Sequence, residues 1–410
     1  MRLPSRSRSA FAAIVLIALV ALPLAASAQS FAVLQSFDKS DGQEPLTPPI
    51  LASDGNLYGA TLQGGARSSG LIYKLTPQGK FSTFYTFCSH TNCTDGSIPM
   101  FGPIQGKDGN LYGTTSNGGV HDLGEVYKLT LSGKLTVLHS FCLCDDGWDP
   151  NSLAEDGQGG FYGTTLEAGS HQFGTIFHLS AQGELTTLYN FCDTQPGCIN
   201  AYTNNGEPQP LILGTDGNIY GITSTGGQYY DHCSPGGCGT VFKITPQGEF
   251  GIVYNFCSLS GCADGGVPAW LIQGSDGNFY GTTGLGGSEA VGGGTVFQLT
   301  TSGALTTLHS FSAGKNSVGA YAPYDLIQAS NGTLYGITVL GGGEDQCNNH
   351  GCGTVFSVTT SGSFESLHNF AGSDGWAPAG VVQTSASTLQ GTTSYGGAHN
   401  DGVIFSLNLN

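Results

Sequence analysis

The sequence predicts an all-β fold, a seven-bladed β-propeller built from four-stranded blades. Three observations predict it: one unit recurs seven times, each unit carries four short strand signals, and the two ends of the chain complement each other. The recurrence shows in a "YG" core at Tyr58, Tyr112, Tyr162, Tyr220, Tyr280 and Tyr335, with Gln390 in the seventh place. A proline precedes each core (Pro45, Pro99, Pro150, Pro208, Pro268, Pro323, Pro378), and a "GTVF"-like segment follows it, beginning at Gly70, Gly124, Gly174, Gly239, Gly294, Gly353 and Gly402. A period of roughly 50 to 60 residues is the range of propellers and related arrays.

One unit illustrates the strands. "AWLIQGS" is the first, and "DGN" follows as a tight hairpin turn, because Gly, Asn and Asp tolerate positive φ. "FYGTTG" is the second. A glycine-rich loop leads to "GTVFQLT", the third, and a turn around "TSG" leads to "ALTTLHSF", the fourth. Short β-branched and aromatic runs between turn residues favour strands over helices. At the ends, "FAVLQSF" at 31–37 reads as a fourth strand with no first three before it, while the last repeat stops after "GVIFSLN" with no fourth. Pairing the two completes the seventh blade and closes the ring, which removes the exposed edges of an open array.

Residues 1–28 read as a cleaved export signal, and residues 29–410 as a single propeller domain. Arg2, Arg6 and Arg8 precede the apolar run "AFAAIVLIALVAL", and Ala26-Ser27-Ala28 supplies a small-x-small cleavage site. The mature protein is expected in the periplasm or the external medium. Removal of the signal takes three of the 12 basic residues and none of the 29 acidic ones, leaving a formal charge of −20. Such a surface repels phosphate backbones and anionic lipid headgroups, so nucleic acid and membrane are set aside as partners. The 66 glycines, with few charged residues, suit short strands and tight turns.

The recurring pattern, best seen in "DGNLYGTTSNGG" ending at Gly119 and "GTVFKITPQG" at 239–248, resembles the Gloeo/Verruco tandem repeat of exported bacterial proteins. The resemblance spans essentially all of residues 31–410. It implies a propeller-like repeat array and no particular chemistry. Many such relatives end in a sorting or anchoring segment. The ending "FSLNLN" is neither an apolar helix nor a basic tail, so surface anchoring is not expected here.

Antiparallel order divides the connections between two ends. The "DGN" and "TPQG"-type turns share one end and are nearly constant in length. The second-to-third and fourth-to-first connections share the other, and all length variation lies there, as in "GGQYYDHCSPGGCG". Variable loops on a rigid ring are where binding usually resides. All twelve cysteines fall on that end, and their short spacing in an exported chain reads as disulfides. The candidate pairs are Cys88/Cys93, Cys192/Cys198, Cys233/Cys238, Cys257/Cys262 and Cys347/Cys352. Cys142 and Cys144 are left open, since a bridge across one residue is strained. Zinc is the competing use of thiols, but structural zinc favours closer CxxC-like spacing.

Candidate binding residues on this face are Trp148, Trp270, Trp376, Tyr202, Tyr229, Tyr230 and Tyr321, whose aromatic faces could stack on sugars or cap a peptide. The loop histidines His121, His171 and His232 join them. Recurrent carboxylates such as Asp54, Asp108, Asp95 and Asp264 suggest a ring of calcium sites, but they lack the dense oxygen spacing of a calcium loop and are assigned to turns. No catalytic motif, metal site or cofactor is assigned.

The expected function is a non-catalytic, monomeric binding module for a glycan, peptide or envelope partner. The alternatives are a lyase or hydrolase at the channel mouth, using His121, His171, His232 and Glu167, and a purely structural repeat protein.

Overall fold

The computed structural model describes residues 29–142, 144–191, 211–229, 233, 236–288, 292–312, 323–343, 347 and 350–409. Among these residues twenty-eight strands form seven four-stranded antiparallel sheets. Blade one runs from Ile50 to Thr86, blade two from Ile104 to Ser140, blade three from Trp148 to Asn190 and blade four from Ile212 to Asn255. Blade five spans Gly266 to Ser310, and blade six Pro323 to Asn369. Blade seven combines Trp376–Ser385, Thr388–Tyr395 and Val403–Asn408 with the N-terminal strand Ser30–Ser36. That strand pairs with the last one from Ser30↔Asn408 to Ser36↔Val403, so the ring closes as the ends of the sequence require. Phe31 reinforces the closure by stacking on His368 of blade six at 3.8 Å.

First strands of neighbouring blades touch one another, which places them around the centre, while fourth strands are partly exposed at the rim. The repeat motifs fall into place as packing devices. The glycine of "YG" stands opposite the aromatic of the "GTVF" strand, as in Gly59↔Tyr73 and Gly281↔Phe297. A Cβ on Gly59 would sit 2.2 Å from the Tyr73 hydroxyl, and one on Gly281 2.5 Å from Phe297 Cζ. The glycine therefore makes the room that the aromatic ring fills. The phenylalanine after each fourth strand (Phe37, Phe87, Phe141, Phe191, Phe256, Phe311, Phe370) is at most 2% exposed. Burial of this kind stabilises each blade by roughly 2–3 kcal/mol per ring.

Neighbouring blades are stitched at both ends. At the constant end, a turn N–H donates to a first-strand glutamine of the next blade: Ser53 to Gln105, Thr215 to Gln273, Ser275 to Gln328 and Ser330 to Gln383, at 2.7–3.0 Å. At the variable end, the residue before the recurrent proline takes a left-handed φ at Glu44, Ile98, Asp149, Val267 and Ala377. Its N–H donates to the residue just before the "GTVF" glycine of the previous blade, as in Val267 to Cys238 at 2.8 Å and Ala377 to Cys352 at 3.0 Å. The proline ring packs on that glycine; a Cβ on Gly124 would stand 2.5 Å from Pro150 Cδ. No helix of the described residues is long and apolar enough to cross a membrane.

Candidate functional site

The constant end uses its carboxylates internally. Asp54 accepts from the Asn56 N–H and side-chain amide and from the Tyr58 hydroxyl at 2.7–3.0 Å. Asp108, Asp216 and Asp276 repeat the arrangement with Tyr112, Tyr220 and Tyr280. In these four blades the tyrosine of "YG" and the aspartate of "DGN" are thus one unit, whereas blade three turns Asp156 to His178 at 2.8 Å and blade six keeps Tyr335 with Asn331 in its turn. Blade seven, which has Gln390 for tyrosine, also has no aspartate in its turn.

The variable end uses a second set of carboxylates as loop tethers. Asp95 accepts from the Tyr85 hydroxyl at 2.8 Å and from Ser89 and His90 N–H groups, and Asp264 does the same with Tyr254, Ser258 and Leu259. In the connections that follow blades two and six the loop aspartate meets a histidine of the fourth strand just before it instead: His139 Nε2 lies 2.9 Å from Asp146, and His368 Nε2 3.0 Å from Asp374. These contacts hold the first turn of each loop and leave the loop tips to vary.

Five disulfides stiffen this face among the described residues: Cys88–Cys93, Cys142–Cys144, Cys233–Cys238, Cys257–Cys262 and Cys347–Cys352. The pair left open by the sequence, Cys142 and Cys144, is bonded, with Cα atoms 5.2 Å apart. Cys192 and Cys198 lie outside the described residues. Such bonds belong to an oxidising compartment, the extracellular space or periplasm.

A cleft of about 180 Å³ opens at this end between blades two and three, lined by Ser116, Asn117, Asp122, Leu123, Trp148, Asp149 and Glu167. Trp148 and Glu167 are cross-strand partners, and the indole N–H donates to Glu167 Oε2 at 2.7 Å. That bond fixes the ring at the cleft wall. Asp149 is turned into the cleft by the left-handed φ before Pro150. Burial, with the Glu167 charge adding to it, pushes its carboxyl above the ordinary aspartate value. Asp122 accepts from the Gly118 N–H at 2.9 Å. The lining holds three carboxylates, an amide, a hydroxyl and an indole, with no basic side chain.

The other candidates distribute differently. Trp270 packs between blades five and six, 5.6 Å from Tyr324. Trp376 lies 5.4 Å from Tyr395 across its own sheet. Tyr229 packs against the core shared by blades four and five. His121 and His171 are exposed on separate loops, and no hydrogen bond joins either to Glu167. Tyr202, Tyr230, Tyr321 and His232 lie outside the described residues.

Two buried carboxylates escaped the sequence reading. Glu125, fully buried, takes the place of a threonine in the third strand of blade two, and neither carboxylate oxygen has a partner. Burial, and then the charge of Asp95, pushes it up to about 8. Asp325, also fully buried, accepts from the Val381 N–H of blade seven at 2.8 Å, and burial pushes it up to about 7. Both were visible as exceptions within the repeat: a Glu where four other blades have Thr and two have Leu71 or Val403, and an Asp where others have Ser152, Trp270 or Gly380.

A closed seven-bladed ring with disulfide-stapled loops on one face defines an extracytoplasmic β-propeller. The family model of the Gloeobacter/Verrucomicrobia repeat matches residues 22–197, 84–266 and 207–410, and the chain belongs to that family. No curated protein matches. Among solved structures, a catalytically inactive virginiamycin B lyase from Staphylococcus aureus superposes with a TM-score of 0.61 at 15% identity, covering 93% of this chain and 100% of that one. The extracellular domain of a putative hybrid two-component system from B. thetaiotaomicron gives 0.57 at 13% identity, covering 92% of this chain and 41% of that one. This chain therefore spans less than half of that extracellular domain. At such identities the likeness is one of fold.

Proposed function

We propose that the protein is an exported, non-catalytic binding module that engages a glycan, peptide or envelope partner through its variable face, with the cleft beside Trp148 as the central contact. The observation that carries this reading is the fixed indole at the wall of an acid-lined cleft. An indole face offers a sugar or aliphatic side chain a flat apolar platform. The carboxylates and the Asn117 amide around it accept or donate hydrogen bonds that set orientation. Disulfides on the adjoining loops reduce the ordering entropy of binding, the usual gain from preorganisation.

The test is a glycan and peptide array probed with the mature chain, followed by calorimetry of any hit. Trp148→Ala should weaken a genuine ligand by about tenfold or more, since losing a central aromatic contact commonly costs over 1 kcal/mol. Glu167→Gln should shift affinity less. Equal affinity for wild type and Trp148→Ala removes the cleft from the proposal.

A further inference from the structure

Blade four is distinguished by its sulfur. Its second-to-third loop carries Cys233 and Cys238, and the connection to blade five carries Cys257 and Cys262. The four Sγ atoms all lie within 4.8 Å of one another. Cys238 and Cys257 are buried, at 1% and 2% exposure, while Cys233 and Cys262 are half-buried at the mouth of the cluster. The juxtaposition follows from the blade. Cys238 immediately precedes Gly239, Cys257 immediately follows Phe256, and the Phe256 N–H donates to the Gly239 carbonyl at 3.1 Å.

The same two positions occur in other blades without this result. Blade six has Cys347 and Cys352 in its loop but Ala371 where blade four has Cys257. Blade one has Cys88 and Cys93 in its connection but Ser69 where blade four has Cys238. Those pairs can serve as disulfides and nothing more. Blade four alone, among the described residues, brings both pairs together.

We propose that Cys233, Cys238, Cys257 and Cys262 form a redox-switched zinc site: reduced, they hold one Zn²⁺ as a tetrathiolate; oxidised, they are the two disulfides. Structural zinc takes four thiolates at about 2.3 Å, which sets the sulfurs of a tetrahedron about 3.8 Å apart. All four sulfurs already lie within 4.8 Å of one another, and on reduction the two bonded pairs have only to part to that spacing. Its loops are held by backbone bonds that do not depend on the S–S bonds. Val267 N–H donates to the Cys238 carbonyl at 2.8 Å, Cys257 N–H to Gly265 at 3.0 Å, and Gly265 and Gly287 N–H to Cys262 at 2.9 and 3.0 Å. Room is left as well. Gly266 occupies the place that holds Trp148 in blade three and Trp376 in blade seven, and a Cβ there would stand 3.2 Å from Cys233 Sγ.

The chemistry balances with a dithiol as reductant. Each disulfide takes up two electrons and two protons, and one dithiol per disulfide closes to its own disulfide. Four protons then leave the thiols as Zn²⁺ binds. A disulfide oxidant reverses the process, accepting two electrons for each S–S bond formed while the metal departs. Metal affinity should accordingly fall at low pH, where protons compete with the metal for the thiolates.

The test uses the whole mature chain, reduced without oxygen by a phosphine, desalted, and titrated first with Co²⁺ and then with Zn²⁺. Wild type should bind one Co²⁺ with the visible and near-ultraviolet bands of tetrahedral thiolate coordination, and Zn²⁺ should displace it one for one. Cys238→Ser and Cys257→Ser should each lose those bands, while Cys352→Ser keeps them. Far-ultraviolet circular dichroism is read in parallel. Should reduction melt the ring, Zn²⁺ must restore the β signal in wild type and not in Cys257→Ser. The proposal is overturned if reduced wild type takes up no Co²⁺, if Cys238→Ser binds as wild type does, or if a melted ring is not restored by Zn²⁺.

Discussion

Replacing Glu125 by threonine tests whether its carboxylate is as isolated as its surroundings indicate. In blades three to six a threonine of the third strand meets one of the second through their hydroxyls: Thr165 with Thr175, Thr223 with Thr240, Thr283 with Thr295 and Thr338 with Thr354, at 2.8–3.0 Å. Blade two keeps Thr115 but sets Glu125 opposite it, beneath Gly96, with both oxygens unpartnered. Burial raises its proton affinity from the ordinary 4.5 to about 8, so the folded ring binds that proton more tightly than the unfolded chain does. Folding stability from this group is therefore complete below pH 4.5 and is lost as pH rises toward 8.

At about 1.36 kcal/mol per pH unit, the loss between pH 5 and pH 8 is about 4 kcal/mol. A ring of this size unfolds with an entropy of about 0.8 kcal/mol/K, so that loss amounts to about 5 °C in melting temperature. The assay is calorimetric or fluorescence melting of wild type, Glu125→Thr and Glu125→Gln at pH 5, 6, 7 and 8. The wild-type midpoint should fall relative to Glu125→Thr by about 5 °C over this span. Glu125→Gln should remove the same pH dependence but melt lower than the threonine variant, because its amide also lacks partners. Parallel curves for wild type and both variants would refute the reasoning, since they would mean that the carboxylate is stabilised when charged.

Two further predictions concern the ring itself. Gly124→Ala and Gly133→Ala share a left-handed φ, of 91° and 87°, but only the first would drive a Cβ to 2.3 Å from the Thr115 carbonyl. Chemical denaturation should show about 1–2 kcal/mol lost at Gly133, the usual penalty for alanine in that conformation, and more than twice that at Gly124. A chain truncated to begin at Phe37 lacks the fourth strand of blade seven and exposes the edge of Val403–Asn408. It should melt lower and self-associate on size-exclusion chromatography, and a synthetic peptide of residues 29–36 should reverse both effects.

The sequence made the ring legible because its signals recur. Turn aspartates, strand-entry prolines and "GTVF" glycines repeat at fixed places, and the unequal ends showed where the circle joins. Their purposes were harder to read, because each is a contact across strands or blades. The "YG" glycine makes room for a ring on the neighbouring strand, and the proline packs on a glycine of the previous blade. The cleft was legible only in part. Trp148 stood out as a loop aromatic, but its bond to Glu167 crosses a hairpin with a register shift between Pro150 and Leu153, which no local spacing reveals. The four sulfurs of blade four likewise read as two separate pairs, since their meeting depends on which positions of a blade are adjacent in space.

A repeat protein carries its own controls, and these separate scaffold from function more sharply than strain or burial can. The left-handed φ at Asp149 would draw attention in an isolated site, yet Glu44, Ile98, Val267 and Ala377 adopt it too. It belongs to the clasp between blades, and what is particular to blade three is the side chain the clasp displays. The same comparison demotes Asp95 and Asp264, which repeat as loop tethers, and promotes Glu125, Asp325, the Trp148–Glu167 pair and the blade-four sulfurs, each of which breaks the pattern in one place. A scaffold under selection only to fold has no reason to bury an unpartnered carboxylate where four other blades place a paired threonine. Departures that burden stability, set on a ring whose regular positions are satisfied, are therefore where this molecule's chemistry should be sought.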